Sequence, residues 1–444
     1  MTDKGDKSSA LLISKRRLLK LAGAGGAVAL GSTLSAPYVW GQAKPVFIRF
    51  MYPVGVSGPL AKEMATMVQD FNDAHPNIVC EHVYTGDYDP TEQKILTAIH
   101  AGNPPDVFLT ILSAMRSFLA LDALADITDL AKRDGIFDDF HPALMGTAMD
   151  NGKLYGLPFQ SSTAMLFWNK DAFKEVGLDP ERAPATWDEM QEYASKLTKR
   201  SGNDAERWGV TIGGGWHDWL FESFVRQNGK VFWDPNNVSF NIPESVEALE
   251  LWSAIANKDR AMPRHSTWAS SSADFVAGRT AMLYHTTGIM TFIKDSAKFK
   301  WGAAFMPKKK TYGSVIGGGP LWIAKNIPEE RKQAAYTFAK WMTSTRGTTR
   351  WGLATGYVPG RKSAWDLPEV KKYVEEAPGI RTAWDQLEYA GAFLQVPQYQ
   401  KVREILKSSL DTVLDEKAKP KEALDRATEL ANREIARVSR ARKK

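Results

Sequence analysis

Gly213-Gly214-Gly215-Trp216-His217-Asp218-Trp219 is the segment of this sequence with the plainest chemical use. Consecutive glycines let the backbone approach a bound molecule closely. The Trp216 indole then offers an apolar face for a sugar ring or a glycerol skeleton. Trp219, one helical turn on, reads as core. A second run, Gly317-Gly318-Gly319, can present successive N–H groups to an anion without any cationic side chain. It reads equally as a tight turn between two strands. Bond-breaking chemistry has no comparable signature. There is no G-x-S-x-G elbow, no phosphate-binding P-loop and no H-E-x-x-H pair. The seven histidines are scattered without ligand spacing, and the single cysteine, Cys80, excludes an internal disulfide framework and a Cys-rich zinc site. Carboxylates are numerous, but nothing singles out two of them as a glycosidase pair. No catalytic residue, metal site or cofactor is therefore expected, and ligand capture fits better than catalysis.

The elements that must position these residues follow the hydrophobic periodicity. Val46–Met51, Ile78–Tyr84 and Asp106–Ile111 read as strands, and Leu60–Phe71 and Glu92–His100 as the helices between them. Alternation of this kind indicates a parallel sheet in an α/β chain. Thr163–Trp168 is a further strand. Thr186-x-x-Glu189 is a capping box that opens a helix to about Lys199. Helices are expected at His217–Arg226, Glu244–Ala256 and Ser272–Ala277, and a strand at Ala281–His285. Ser314–Ile316 and Leu321–Ala324 flank the second glycine run as separate strands. After Glu329 the pattern is almost wholly helical, ending with Lys421–Arg437.

The chain has 444 residues, with 57 Lys+Arg against 51 Asp+Glu. The first 43 residues hold six of the bases and two of the acids, which leaves 51 against 49 in the rest. A nearly neutral body gives a nucleic-acid partner little electrostatic support. Ser14-Lys15-Arg16-Arg17-Leu18-Leu19-Lys20, a weakly apolar run to about Leu34, and Gly41-Gln42-Ala43 have the form of a cleavable export signal. The adjacent arginines point to the twin-arginine route, although Lys20 stands where that pattern has an apolar residue. Residues 1–43 are thus expected to be removed, leaving a soluble protein in the periplasm.

Several segments together resemble one family. Leu157-Pro158-Phe159-Gln160-Ser161-Ser162-Thr163-Ala164-Met165-Leu166-Phe167-Trp168-Asn169-Lys170-Asp171-Ala172-Phe173 is similar to the hinge-region signature of family 1 extracellular solute-binding proteins, the capture subunits of ABC importers. Gly177-Leu178-Asp179-Pro180, Thr186-Trp187-Asp188-Glu189, Phe275-x-x-Gly278-x-x-Ala281-Met282, Ile316-Gly317-Gly318, Leu321-Trp322 and Gly356-Tyr357-x-Pro359 continue the pattern to the C-terminus. Within the family the match leans to the glycerol-phosphate binders.

The resemblance implies an α/β, two-lobe periplasmic binding protein fold (type II-like) with three hinge crossings, near Ser162, Val315 and Ala364. Lobe 1 would be 45–162 with 316–364, and lobe 2 would be 163–315 with 365–444. The ligand would lie between them, and the partners would be the importer's permease and ATPase subunits, with the protein itself a monomer. Residue by residue, the family pattern implies ligand contacts at Tyr88, Ser162, Trp216, Thr286, Gly318, Tyr357 and Arg403. Counting from the other end of the last-named helix puts Gln400 in place of Arg403. The family's ligand-contacting Glu after the third strand is replaced by Leu112, which should weaken or shift specificity. Glycerol phosphate, a glycerophosphodiester and a saccharide all remain open as ligands. One cation and no carboxylate in this set lead to the expectation of an anionic ligand. The competing reading is an exported enzyme acting on a saccharide or phosphodiester; a structural or adhesion protein is a third.

Overall fold

The computed structural model describes residues 44–54 and 60–441. The export signal expected at 1–43 lies outside them. Ten strands form one mixed sheet: β1 (Val46–Tyr52), β2 (Ile78–Tyr84), β3 (Val107–Leu109), β4 (Gly156–Asn169), β5 (Lys199–Ser201), β6 (Asp204–Ile212), β7 (Thr280–Thr286), β8 (Trp301–Ala304), β9 (Ser314–Ile323) and β10 (Ala390–Ala392). Their order is β2-β1-β3-β9-β4-β7-β6-β5, with β8 added to β4 and β10 to β9. β1 runs parallel to β2 and β3, and β7 parallel to β6. The pairs made by β4 and by β9 with β3 are antiparallel.

β4 is the axis of the molecule. All fourteen of its residues are buried, so it lacks the in-out alternation of a half-exposed strand, and it carries a buried polar stretch, Gln160–Thr163, between two apolar stretches. Its first half, to Thr163, pairs with β9, and from Ala164 on it pairs with β7 and β8. Ser162 sits one residue before Thr163, where β4 exchanges partners.

Helices cover the sheet for local reasons the sequence carries. Leu60–Ala74 buries Leu60, Met64, Met67, Val68 and Phe71 on one face, the i, i+3, i+4 spacing of an amphipathic helix. Thr186 caps Trp187–Leu197 by accepting from the Glu189 N–H at 3.2 Å, while the Glu189 carboxylate accepts from Ala185 N rather than from the cap itself.

Several expectations need correction. The second helix begins at Tyr88, not Glu92, because Asp87 caps it, its Oδ1 accepting from Tyr88 N at 2.7 Å. Pro90 is tolerated in the first turn, where an N–H has no intrahelical partner. The helix expected from Ser272 starts at Trp268, behind a Thr267–Ser270 capping box. The glycine run is not a turn. β9 is continuous from Ser314 to Ile323, with one bulge between Gly319 and Pro320. Its glycines are there because neighbouring groups leave no room. A Cβ on Gly317 would stand 2.9 Å from the Ser162 hydroxyl, on Gly318 2.1 Å from the Gln160 carbonyl oxygen, and on Gly319 1.6 Å from that of Thr110. Gly318 also has φ +82°, a conformation that costs glycine little. The C-terminal part is helical apart from β10.

Candidate ligand-binding site

Tyr88, Ser162, Trp216, Thr286, Gly318 and Tyr357 line one cavity. Each reaches it by a different device. Tyr88 is the first residue of the helix Tyr88–His100, aimed inward by the Asp87 cap. Ser162 lies on β4 opposite Gly317 of β9, and Gly318 follows. Thr286 ends β7, where its Oγ1 accepts from Gly288 N at 3.1 Å. Tyr357 follows the helix Thr345–Thr355, which Gly356 terminates in the left-handed conformation at φ +98°. Trp216 immediately precedes the helix His217–Gln227 at its N-cap position, without a side-chain cap bond.

Most of the remaining wall was not foreseen. Ile111, Trp219 and Trp268 also line the cavity, together with Gly317 of the second glycine run. Trp219 is buried, as expected of a core residue, yet it faces this space, and its Nε1 donates to Ile316 O at 3.4 Å. Its signal was its place one turn after Trp216. Trp268 carried none; its indole stacks on His285 at 3.6 Å between ring centroids and meets Trp219 edge-on. Burial pushes the His285 imidazole down to about 3, so it is neutral beside the cavity. Leu112 is buried in a separate apolar cluster, and its neighbour Ile111 presents the apolar side chain to the site.

The polar groups are hydroxyls. The Tyr88 hydroxyl donates to the Gln160 side-chain oxygen and lies 3.4 Å from the Tyr357 hydroxyl. Burial raises both phenols, Tyr357 to about 12, so both remain protonated. No residue lining the cavity carries a formal charge.

Arg403 is not brought into the lining. It lies behind the wall, only 1% exposed, with its guanidinium carbon over the Trp216 ring, 3.7 Å from the ring centre. Nε donates to Asp218 at 2.8 Å, Nη1 to Asp89 at 2.9 Å, and Nη2 to the Gly215 carbonyl. The expectation of one cation without carboxylates is thereby corrected: two aspartates already hold it. Burial works against the guanidinium's charge, but Asp218 and Asp89 more than offset it. Gln400 also stays outside the lining and donates to Glu92 at 3.1 Å.

Glu92, 2% exposed, completes this buried group. Burial, then the neighbouring Asp89 charge, raise its carboxyl to about 8. The neutral acid is therefore favoured in the folded chain. Stability from this group is complete below the ordinary carboxylate range and is lost as pH rises from there to about 8. The loss approaches about 1.4 kcal/mol per pH unit within that window. Urea denaturation of Glu92→Gln between pH 5 and 9 should show this decline removed, with the variant more stable than wild type at pH 8.5. An unchanged slope would place the titration elsewhere.

Four matches to known proteins accompany this geometry. The sequence profile described as bacterial extracellular solute-binding protein matches residues 66–378. The sn-glycerol-3-phosphate-binding periplasmic protein UgpB of Escherichia coli K12 is 30% identical over 412 residues, covering 87% of this chain and 92% of that protein. UgpB from Mycobacterium tuberculosis, solved with glycerophosphocholine, superposes with a TM-score of 0.77 at 23% identity, over 90% of this chain and 100% of that one. A Thermotoga lettingae ABC transporter solute-binding protein, solved with alpha-D-tagatose, gives 0.77 at 22% identity, over 88% and 100%. The two structures establish likeness of fold.

Proposed function

The chain belongs to the bacterial extracellular solute-binding proteins, and from that premise we propose that it captures a small hydroxylated ligand, of the glycerol-3-phosphate or sugar type, for an ABC importer. The observation that carries this reading is convergence. Six positions spread from Tyr88 to Tyr357 meet at one uncharged cavity of aromatic rings and hydroxyls. That is the lining expected of a small-molecule binding site. Tyr88, Ser162, Trp216, Thr286, Gly318 and Tyr357 are the proposed ligand contacts, with Arg403 acting through Trp216.

The proposed lobes are 45–162 with 316–364 and 163–315 with 365–444, closing on the ligand by hinge motion. The exchange of partners by β4 between Thr163 and Ala164 supports this division. The permease and ATPase of the importer are the proposed partners of a monomeric, non-enzymatic protein that works in the periplasm. Among the described residues no helix is long and apolar enough to cross a membrane.

Thermal shift of the chain from Lys44 onward against polyols, sugars, glycerol phosphates and glycerophosphodiesters tests the reading. A true ligand at 100 times its Kd should stabilise by about 2.7 kcal/mol without turnover. Conversion of any panel member would favour an exported enzyme instead. For the export route, replacing Arg16-Arg17 by Lys-Lys should trap the precursor in the cytoplasm, since paired guanidinium groups are the route signal. Undiminished delivery, followed by cell fractionation, would leave only a general secretory signal.

A further inference from the structure

We propose that Asp89 and Asp218 make the cavity selective for an uncharged polyol or sugar over its phosphorylated counterpart, by holding the Arg403 guanidinium away from the ligand. The inference rests on the cavity being the ligand site, and it narrows the ligand class that site accepts.

Arg403 packs against the cavity wall from behind, its guanidinium over the Trp216 ring. Its edge is already engaged: Nε by Asp218, Nη1 by Asp89 and Nη2 by the Gly215 carbonyl. To pair bidentately with a phosphate, the guanidinium would have to turn its fork into the cavity. That movement would break the bond to Asp218, a carboxylate whose side chain is fully buried. A buried carboxylate stripped of its partner is strongly unfavourable.

The charge balance points the same way. Among the described residues, Arg403 is the only cation within ion-pair distance of Asp89 or of Asp218. Each aspartate also has a second oxygen, Oδ1, buried without a hydrogen-bond partner. One guanidinium against two carboxylates leaves this cluster net negative behind the Trp216 ring. Asp218 is fully buried while the Asp89 side chain is 44% exposed, so solvent screens part of this excess; what remains opposes a phosphate at the wall and favours hydroxyl donors. The lining itself adds no positive group and includes the apolar Ile111.

Titration calorimetry of the mature chain with glycerol, ribitol and galactose, each beside its monophosphate, decides the matter. Wild type should bind at least one neutral member, and its phosphate at least tenfold more weakly. Asp89→Asn should narrow that ratio by at least tenfold. Asp218→Asn should do the same where it folds; Asp89, with its side chain 44% exposed, is the milder site and keeps the test open if Asp218→Asn does not fold. The proposal is overturned if wild type binds the phosphate as tightly as the neutral member, or if Asp89→Asn leaves the ratio unchanged. If no panel member binds, the reading of the cavity as the ligand site fails, and this inference fails with it.

Discussion

Arg403→Ala should destabilise the folded chain by about 3–5 kcal/mol, the loss seen when one partner of a buried ion pair is removed. The cause is what the arginine leaves behind. Asp218 has 0% side-chain exposure and no other cation within ion-pair distance among the described residues. Its Oδ1 is already unpartnered, and the truncation would strip Oδ2 as well. The Gly215 carbonyl would lose its donor, and the Trp216 ring the guanidinium that lies on it. Urea denaturation of the single variant and of Arg403→Ala with Asp218→Asn separates the causes. The double variant should recover part of the loss, because neutralising Asp218 removes the unpaired charge. Equal losses in both would show that packing of the long side chain, not the ion pair, accounts for the effect.

Trp216→Ala should damage stability and binding together. The indole is 8% exposed and is held between the Arg403 guanidinium on its face and Tyr88 edge-on at 5.8 Å. Truncating a buried tryptophan costs about 3–5 kcal/mol, and losing an aromatic anchor in a binding site roughly 2–4 kcal/mol of affinity. From the sequence, a lining residue and a core residue are opposed readings, with loss of melting temperature excluding the first. The structure removes that opposition, since Trp216 packs on Arg403 and faces the cavity at once. Trp216→Phe separates the two effects. It should retain most of the stability in denaturation and lose affinity by calorimetry, because a smaller ring still supports Arg403 but leaves a gap at the ligand. Full affinity in Trp216→Phe would remove the indole from the ligand wall.

Much of the local structure was legible because its causes are local. The spacing of Leu60, Met64, Met67, Val68 and Phe71 encodes a one-sided helix. Thr186 announces a helix start through a bond three residues away. Such contacts fall within one or two turns of the chain, so residue order alone carries them. The positions Tyr88, Ser162, Thr286 and Tyr357 are picked out through the family resemblance rather than through any local pattern, whereas Trp216 and Gly318 also stand in glycine runs.

Their meeting at one cavity, and the company they keep there, was decided only by the tertiary structure. Asp89 and Asp218 stand 314 and 185 residues from Arg403. Nothing along the chain marks these two among its acidic residues as the arginine's partners. Trp268 is a half-buried first residue of its helix with no binding motif around it, and only the packing of that helix brings it against Trp219. Gly317-Gly318-Gly319 satisfies a turn, an anion nest and a tight strand equally well by composition, because glycine permits all three. The choice was made by Ser162, Gln160 and Thr110, whose atoms occupy the space a side chain would need. Local pattern specifies the elements; which distant side chains share a burial site depends on how the completed elements stack, and the charge of this site is settled there.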